Sequence, residues 1–398
     1  MPARPGLAGD GDSGPGSHPS SSHVPHPRCL DLVLGICTLP WCFAFGCNKA
    51  KDGATVTSAP VRGFRQLWIQ PSGNVSPPLN EFRTRDIISK TKVINISGET
   101  IPDALSVEEY GRLFNAYREG KYLLPNDGEE QDRLDLQHHQ WLLLLGGNLS
   151  LVPFVSDPLE VLDIGTGTGI WAKQFARKHP RSNVIGTDLS LIQTNVNVPS
   201  NCTFVREDSE ELWVFDKKFD YIHWRLMLTC FNDFRGMIGK IFENLNPGGW
   251  AEFQEASFDL IPADEAAAAV LHGSALEQCF KYALEAGRRM GRDFEAPRKL
   301  KKAMIEAGFV DVIEKQILAP VNSWPLDPKD RTIGNWVCLN GLRAAESLGK
   351  VMIVGGLAEE DAPALIQEIR HDLTNASMRV YEPQYVVYGR KPFVEAEE

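Results

Sequence analysis

From residue 160 onward, short apolar runs alternate with stretches whose apolar residues recur every three or four positions. Such alternation predicts strands and helices in turn, the signature of a parallel sheet covered on both faces. Strands are expected at 160–164, 183–187, 203–206, 219–224 and 250–254, with helices over 168–178 and 235–245, the latter ending at Asn246-Pro247-Gly248-Gly249. Beyond the fifth strand the simple alternation breaks. An alanine-rich helical stretch over 263–290 precedes a helix over 297–307 and a strand over 309–318. Two more helical segments, 332–348 and 359–375, come before a last strand at 384–388. If the final two strands pair, the residues between them form an insertion, and insertions at such an edge can cover a ligand. The expected fold is therefore α/β: a mostly parallel seven-stranded sheet with helices on both faces and helical insertions at about 262–296 and 319–383, all within 151–398.

Upstream, Pro125-Asn126-Asp127 supplies a helix start, Glu129 and Glu130 complement the helix dipole, and Gly146-Gly147 supplies a stop. Residues 107–150 thus read as an N-terminal helical cap. Residues 1–60 contain a Gly, Pro, Ser and His-rich leader without apolar period, which predicts disorder. An apolar run at 30–45 follows, interrupted by Asp31 and Pro40. It is shorter than the ~20 residues that span a bilayer and begins too late for an ordinary signal peptide, so membrane anchoring is disfavoured. Residues 61–106 read as a linker or arm.

Composition narrows the partners. With 43% hydrophobic and 23% charged residues a sizeable core is expected, and the net charge of −11 disfavours a nucleic-acid partner. Arg298-Lys299 and Lys301-Lys302 read as a solvated helix face. The 8 cysteines contain no C-x-x-C and no metal-ligand spacing, so reduced thiols and no metal site are expected.

The candidate chemistry begins at Val161-Leu162-Asp163-Ile164-Gly165-Thr166-Gly167-Thr168-Gly169, a buried strand running into a glycine turn. Such a turn lets a cofactor lie against bare backbone. The dinucleotide fingerprint G-x-G-x-x-G would need glycine where Ile170 stands. With Asp163 two positions before the first glycine, the stretch instead resembles motif I of class I S-adenosylmethionine (SAM)-dependent methyltransferases. Gly165, Thr166, Gly167 and Gly169 become candidates for the cofactor cradle, and Asp163 for orienting the turn or the SAM ammonium through water. Ligands of open α/β sheets sit at the carboxyl ends of strands. There Asp188, followed by Leu189, ends the second strand, where a carboxylate can accept both ribose hydroxyl protons. In the family pattern an acid follows the third strand and takes the adenine amino group, a role for Asp208 rather than Glu207. The fourth strand ends where the methyl group is expected. It lacks the N/D-P-P-Y type motif of DNA-amino methyltransferases and the paired glutamates of protein-arginine methyltransferases, leaving His223 and Arg225 as its polar groups.

From about Tyr110 to Pro392 the chain also resembles fungal methyltransferases related to the velvet-complex regulator of secondary metabolism. The likeness rests on residues 117–122 with Pro125-Asn126-Asp127, on 132–138, on 162–171, on 246–250, and on Trp324-Pro325 and 389–392. In that family the segment before the sheet looks like a lid over SAM. The resemblance makes Tyr117, Tyr122, Arg133 and His138 candidates for the cofactor or acceptor site. Helical spacing allows a plainer reading of two of them. His138 shares a face with Leu134, Trp141 and Leu145 and reads equally as a core histidine; Arg133 can pair with Glu129 or Glu130.

Methyl transfer from a sulfonium is an in-line displacement that needs no metal, and a base only when the acceptor must lose a proton. His223 or His138 is the expected base. The reading is a cytoplasmic enzyme methylating a small molecule. The alternative is a nuclear, SAM-binding regulator of secondary-metabolite genes that works through protein partners.

Overall fold

The computed structural model describes residues 106–393 apart from 119, 155–158 and 195. The expectations for the leader, for the apolar run at 30–45 and for the arm up to 105 lie outside the described residues.

A hairpin opens the described chain: β1 (Ser106–Glu109) pairs antiparallel with β2 (Arg112–Asn115). Tyr110 and Gly111 turn it with φ of 52° and 69°, the left-handed pair that a two-residue hairpin loop requires. Helix α1 (Gly128–Leu144) follows. Its N-cap Asp127 accepts the Glu130 amide at 3.0 Å and is clamped by Arg112 at 2.6 Å, so the hairpin fixes where the helix begins. The helix stops where expected: positive φ at Gly146 and Gly147 brings the Gly147 amide to the Leu142 carbonyl at 2.7 Å.

The sheet is built from β3 (Glu160–Ile164), β4 (Asn183–Asp188), β5 (Cys202–Arg206), β6 (Phe219–Arg225), β7 (Leu245–Ala256), β8 (Ile261–Pro262), β9 (Val310–Pro320) and β10 (Val380–Arg390). Their spatial order is β5-β4-β3-β6-β7-β10, with β9 and the short β8 both on β10. Strands β3 to β7 pair in parallel, whereas β10 runs antiparallel to β7, β8 and β9. The seven expected strands are therefore present, and two-residue β8 is an eighth. Val161, Leu162 and Ile164 of β3 are fully buried, as a strand covered on both faces demands.

Each face carries its own core. On one, Leu162, Ile164 and Phe253 pack against Ile238 and Ile241 of α3 (Phe234–Asn244). On the other, Val161 and Tyr221 pack against Trp141 of α1 and against Trp171 and Phe175 of α2 (Ile170–Lys178).

After β7 the expected single helical stretch is broken into α4 (Glu265–Leu271) and α5 (Ala275–Met290). Gly273 at φ 74° cannot continue a helix cheaply, and Ser274 caps a new one by accepting the Glu277 amide at 3.2 Å. Helix α6 (Leu300–Glu306) leads to β9. Between β9 and β10 lie α7 (Pro328–Ser347), α8 (Gly349–Val354) and α9 (Ala362–Thr374). Helix α7 starts a turn earlier than its apolar period suggests, because Asp327 caps it and Pro328 suits a first helical position. These insertions share a third core, in which Leu276, Ala345, Met352, Ile369 and Leu373 cluster with Val380 at the start of β10. Among the described residues no helix is long and apolar enough to cross a membrane.

Candidate active site

The chain runs outward from β3 through β4 to β5 and then returns to β6 on the other side of β3. That reversal leaves a crevice at the strands' carboxyl ends. A cavity of ≈ 330 Å³ occupies it, within the ~300–1,000 Å³ range of small-molecule sites.

Gly165, Gly167 and Gly169 have φ of 66°, 57° and 76°, a region that side chains rarely tolerate. A Cβ on Gly165 would stand 2.0 Å from Met227 Sδ, and one on Gly169 would stand 2.4 Å from the Phe204 ring. Gly165 and Gly167 line the cavity with bare backbone; Gly169 does not, and serves as the left-handed start of α2. Asp163 is buried below the turn. One oxygen accepts the Thr166 hydroxyl at 2.6 Å and the other the His223 Nδ1–H at 2.8 Å. Thr166 is held further by its amide on the Thr187 carbonyl at 2.9 Å.

Asp188 accepts the Gly167 amide at 2.9 Å on one oxygen and the Ser190 amide at 2.8 Å on the other. Each oxygen keeps a lone pair for a further donor. Burial pushes its pKa up to about 6 against the pull of those amides. Leu189 lies beside it on the cavity wall. Asp208 also lines the cavity and is paired with Lys121, while the neighbouring Glu207 does not reach it. Tyr122 lines the wall too, its hydroxyl pushed well above the ordinary range by burial. Tyr117 stays off the wall, its ring 5.8 Å from both the Arg118 and Arg206 guanidinium carbons.

Arg133 lines the cavity but is fully engaged. Glu130 binds it at 2.7–3.0 Å and Asn340 of α7 at 2.9 Å, while the Ser347 hydroxyl reaches Glu130 at 2.6 Å. Of the two sequence alternatives for its partner, the structure has Glu130. His223 stacks on the Trp171 ring at 3.9 Å and 4°, and its Nε2 has no partner among the described residues.

His138 is a correction. It does not line the cavity, and its Nδ1 accepts a hydrogen bond from Arg225 at 2.9 Å. Burial and the Arg225 charge push it down to about 3, so it stays neutral with its basic nitrogen occupied. A base needs a free lone pair within reach of the proton it takes. The spacing that put His138 on one face with Leu134 and Trp141 was the signal of a core position.

Sequence reasoning missed Glu255. It stands near the end of β7, lines the cavity, and accepts the Met227 and Leu228 amides at 2.8 and 3.2 Å on one oxygen. Burial pushes it up to about 8. An acid at the mouth of an apolar strand was the available clue, but the strand was expected to end at Gln254. Leu226, between Arg225 and these amides, has φ 58°, a strained conformation for a branched side chain at a cavity wall. Phe258, Leu276, Phe280, Val337, Leu348, Ile369 and Leu373, from the two insertions and the turn after β7, give the rest of the wall a mostly apolar lining, into which Asn340 of α7 and Glu382 and Gln384 of β10 also project; burial pushes Glu382 up to about 7. Among the described residues no cluster of three or more metal-ligating side chains exists.

A bare glycine turn, one carboxylate level with it and a second beyond the next strand line a single cavity. The fold and the site define a class I SAM-dependent methyltransferase. A family model described as a methyltransferase domain matches residues 136–314. The chain is 32% identical over 294 residues to methyltransferase pytC of Aspergillus terreus, covering 72% of this chain and 88% of that one. It is 32% identical over 296 residues to the probable methyltransferase tdiE of Emericella nidulans, covering 73% and 91%. Against the secondary metabolism regulator laeA of Monascus pilosus the identity is 33% over 316 residues, covering 75% and 81%. The chain belongs to the family of SAM-dependent methyltransferases that these fungal proteins share.

Proposed function

We propose that this enzyme transfers the methyl group of SAM to a small, mainly apolar acceptor in secondary-metabolite biosynthesis, and that it works in the cytoplasm. The observation that carries the reading is one cavity with a polar end at Gly165, Asp188 and Asp208 and an apolar end under α5, α7 and α9. Asp188 would hold the ribose hydroxyls, Asp208 the adenine amine, and the Gly165 to Gly167 backbone the amino-acid end, with Leu189 and Tyr122 as apolar and aromatic walls. SAM supplies an electrophilic methyl on a sulfonium. What the chain adds is alignment and exclusion of water, for which we assign residues 107–150 as a cap and 262–296 and 319–383 as lid. His223, its Nδ1–H committed to Asp163, presents Nε2 as a proton acceptor, and Glu255 is a second proton-holding group on the same wall.

Deletion of the gene in its host followed by metabolite profiling tests this. Accumulation of one compound lighter by a methylene than a normal product supports the enzyme reading. The resemblance to the laeA regulator supports a second reading, a nuclear regulator acting through protein partners. A fall across many unrelated metabolites, with no undermethylated compound, would replace the first with the second.

A further inference from the structure

Among the described residues three cations line the cavity: Lys121, Arg133 and Arg225. Two are already neutralised. Lys121 is paired with Asp208 and, at 3.0 Å, with Glu210; Arg133 is clasped by both oxygens of Glu130. Arg225 has no carboxylate within ion-pair distance among the described residues, and its hydrogen-bond partner is neutral His138 at 2.9 Å. Asp163 attracts it from farther away but is itself committed to His223 and Thr166. A guanidinium drawn out of bulk water without an anion is costly, and its planar fork matches a carboxylate.

The place of Arg225 says which carboxylate. It follows Trp224, which pairs in register with Ile164, so it stands level with Gly165, where the glycine turn begins. An adenosyl sulfonium amino acid ends in a carboxylate, which the glycine-turn backbone alone would leave without a counter-charge, and Arg225 is the cation on this wall with no carboxylate partner among the described residues. We propose that Arg225, oriented by the His138 lone pair, is the subsite for the methionyl carboxylate of SAM. His138 is then a positioning residue: its Nδ1 fixes the guanidinium plane and leaves the remaining N–H groups for the ligand.

The proposal rests on the cofactor assignment, and binding measurements separate the two. Calorimetry on the full chain would compare S-adenosylhomocysteine with S-adenosyl-3-thiopropylamine, its decarboxylated analogue, which keeps the adenosine, the sulfur and the amine. Native protein should prefer the carboxylated ligand by about 10- to 100-fold, the scale of a charge-assisted bidentate contact. Arg225→Gln should erase that preference while leaving affinity for the decarboxylated ligand within about twofold, with Arg225→Lys intermediate and His138→Phe reducing the preference. A merely structural role would weaken both ligands together, and that result in a folded variant overturns the proposal. So does equal binding of the two ligands by native protein, a measurement that needs no variant. Failure of S-adenosylhomocysteine to bind at all would instead overturn the cofactor assignment on which the proposal stands.

Discussion

The two ends of the cavity are built by different means. At the polar end most groups lie close together in the chain, from Asp163 to Asp208, and Asp163, Asp188 and Asp208 each accept a bond from within three residues or from the glycine turn, with His223 and Lys121 added from elsewhere. Sheet register sets their positions, so little is left to side-chain packing. At the acceptor end the wall is gathered from Phe258 to Leu373, out of helices that pack chiefly on one another. That end is joined to α1 by a polar link, in which Arg133 and Glu130 meet Asn340 and Ser347 of α7. A constant donor demands fixed polar geometry, whereas a variable acceptor is served by an apolar shell that can be exchanged without disturbing the sheet.

Breaking the link should have the largest effect. Glu130 is fully buried, and Glu130→Ala would leave Arg133 charged without its anion and Ser347 without its acceptor. A loss of about 3–5 kcal/mol is expected in urea unfolding, the cost of removing one partner of a buried pair. Hydrogen exchange should rise most in α7, while the β3 and β4 amides stay protected. Uniform exchange across the sheet would show that the two ends are not separable units.

The donor end should respond to charge alone. Asp188→Asn keeps the size of the side chain but loses the anion, and a drop of about 10- to 100-fold in S-adenosylhomocysteine affinity is expected with thermal stability little changed. Because the hydroxyl-accepting form is the carboxylate and its pKa is raised to about 6, affinity of the native protein should be full above that value and fall as pH drops through it. A pH-independent affinity between 5 and 8 would remove Asp188 from the ribose role.

The same contrast decides what could be read in advance. The strands along the chain, the glycine turn and the positions of Asp163, Asp188 and Asp208 beside the cavity were legible because each is a local feature, a residue type at a strand end in an open α/β sheet. The hairpin at Tyr110-Gly111 and the break at Gly273-Ser274 were written in turn residues that a coarse apolar period overlooks. The acceptor wall was not legible, since Leu276, Leu348 and Ile369 are ordinary apolar helix positions until tertiary packing turns them toward one space. His138 and Glu255 mark the limit most plainly. One was expected as a base, yet its contact with Arg225 occupies the lone pair a base would need, and the other was passed over because its strand runs to Ala256 instead of Gln254.

Glu255 stands where the two ends meet, and it offers the smallest but most specific test. Its folded pKa, about 8, lies above the ordinary glutamate value of 4.5 because burial disfavours the anion. A group raised in this way binds its proton more tightly in the folded state, so its stabilising contribution is full below about 4.5 and is lost as pH rises through about 8. Glu255→Gln cannot ionise, yet its amide oxygen can still accept the Met227 and Leu228 amides. Variant and native protein should therefore unfold alike below about pH 4.5, and the variant should become the more stable as pH rises to 9. If Glu255 also takes the acceptor's proton, turnover of the native enzyme should rise with pH through the same interval, since the base form is the carboxylate, and the variant should lose that rise. A stability difference without a turnover difference would leave His223 as the proton acceptor and make Glu255 a brace for the strained turn at Leu226.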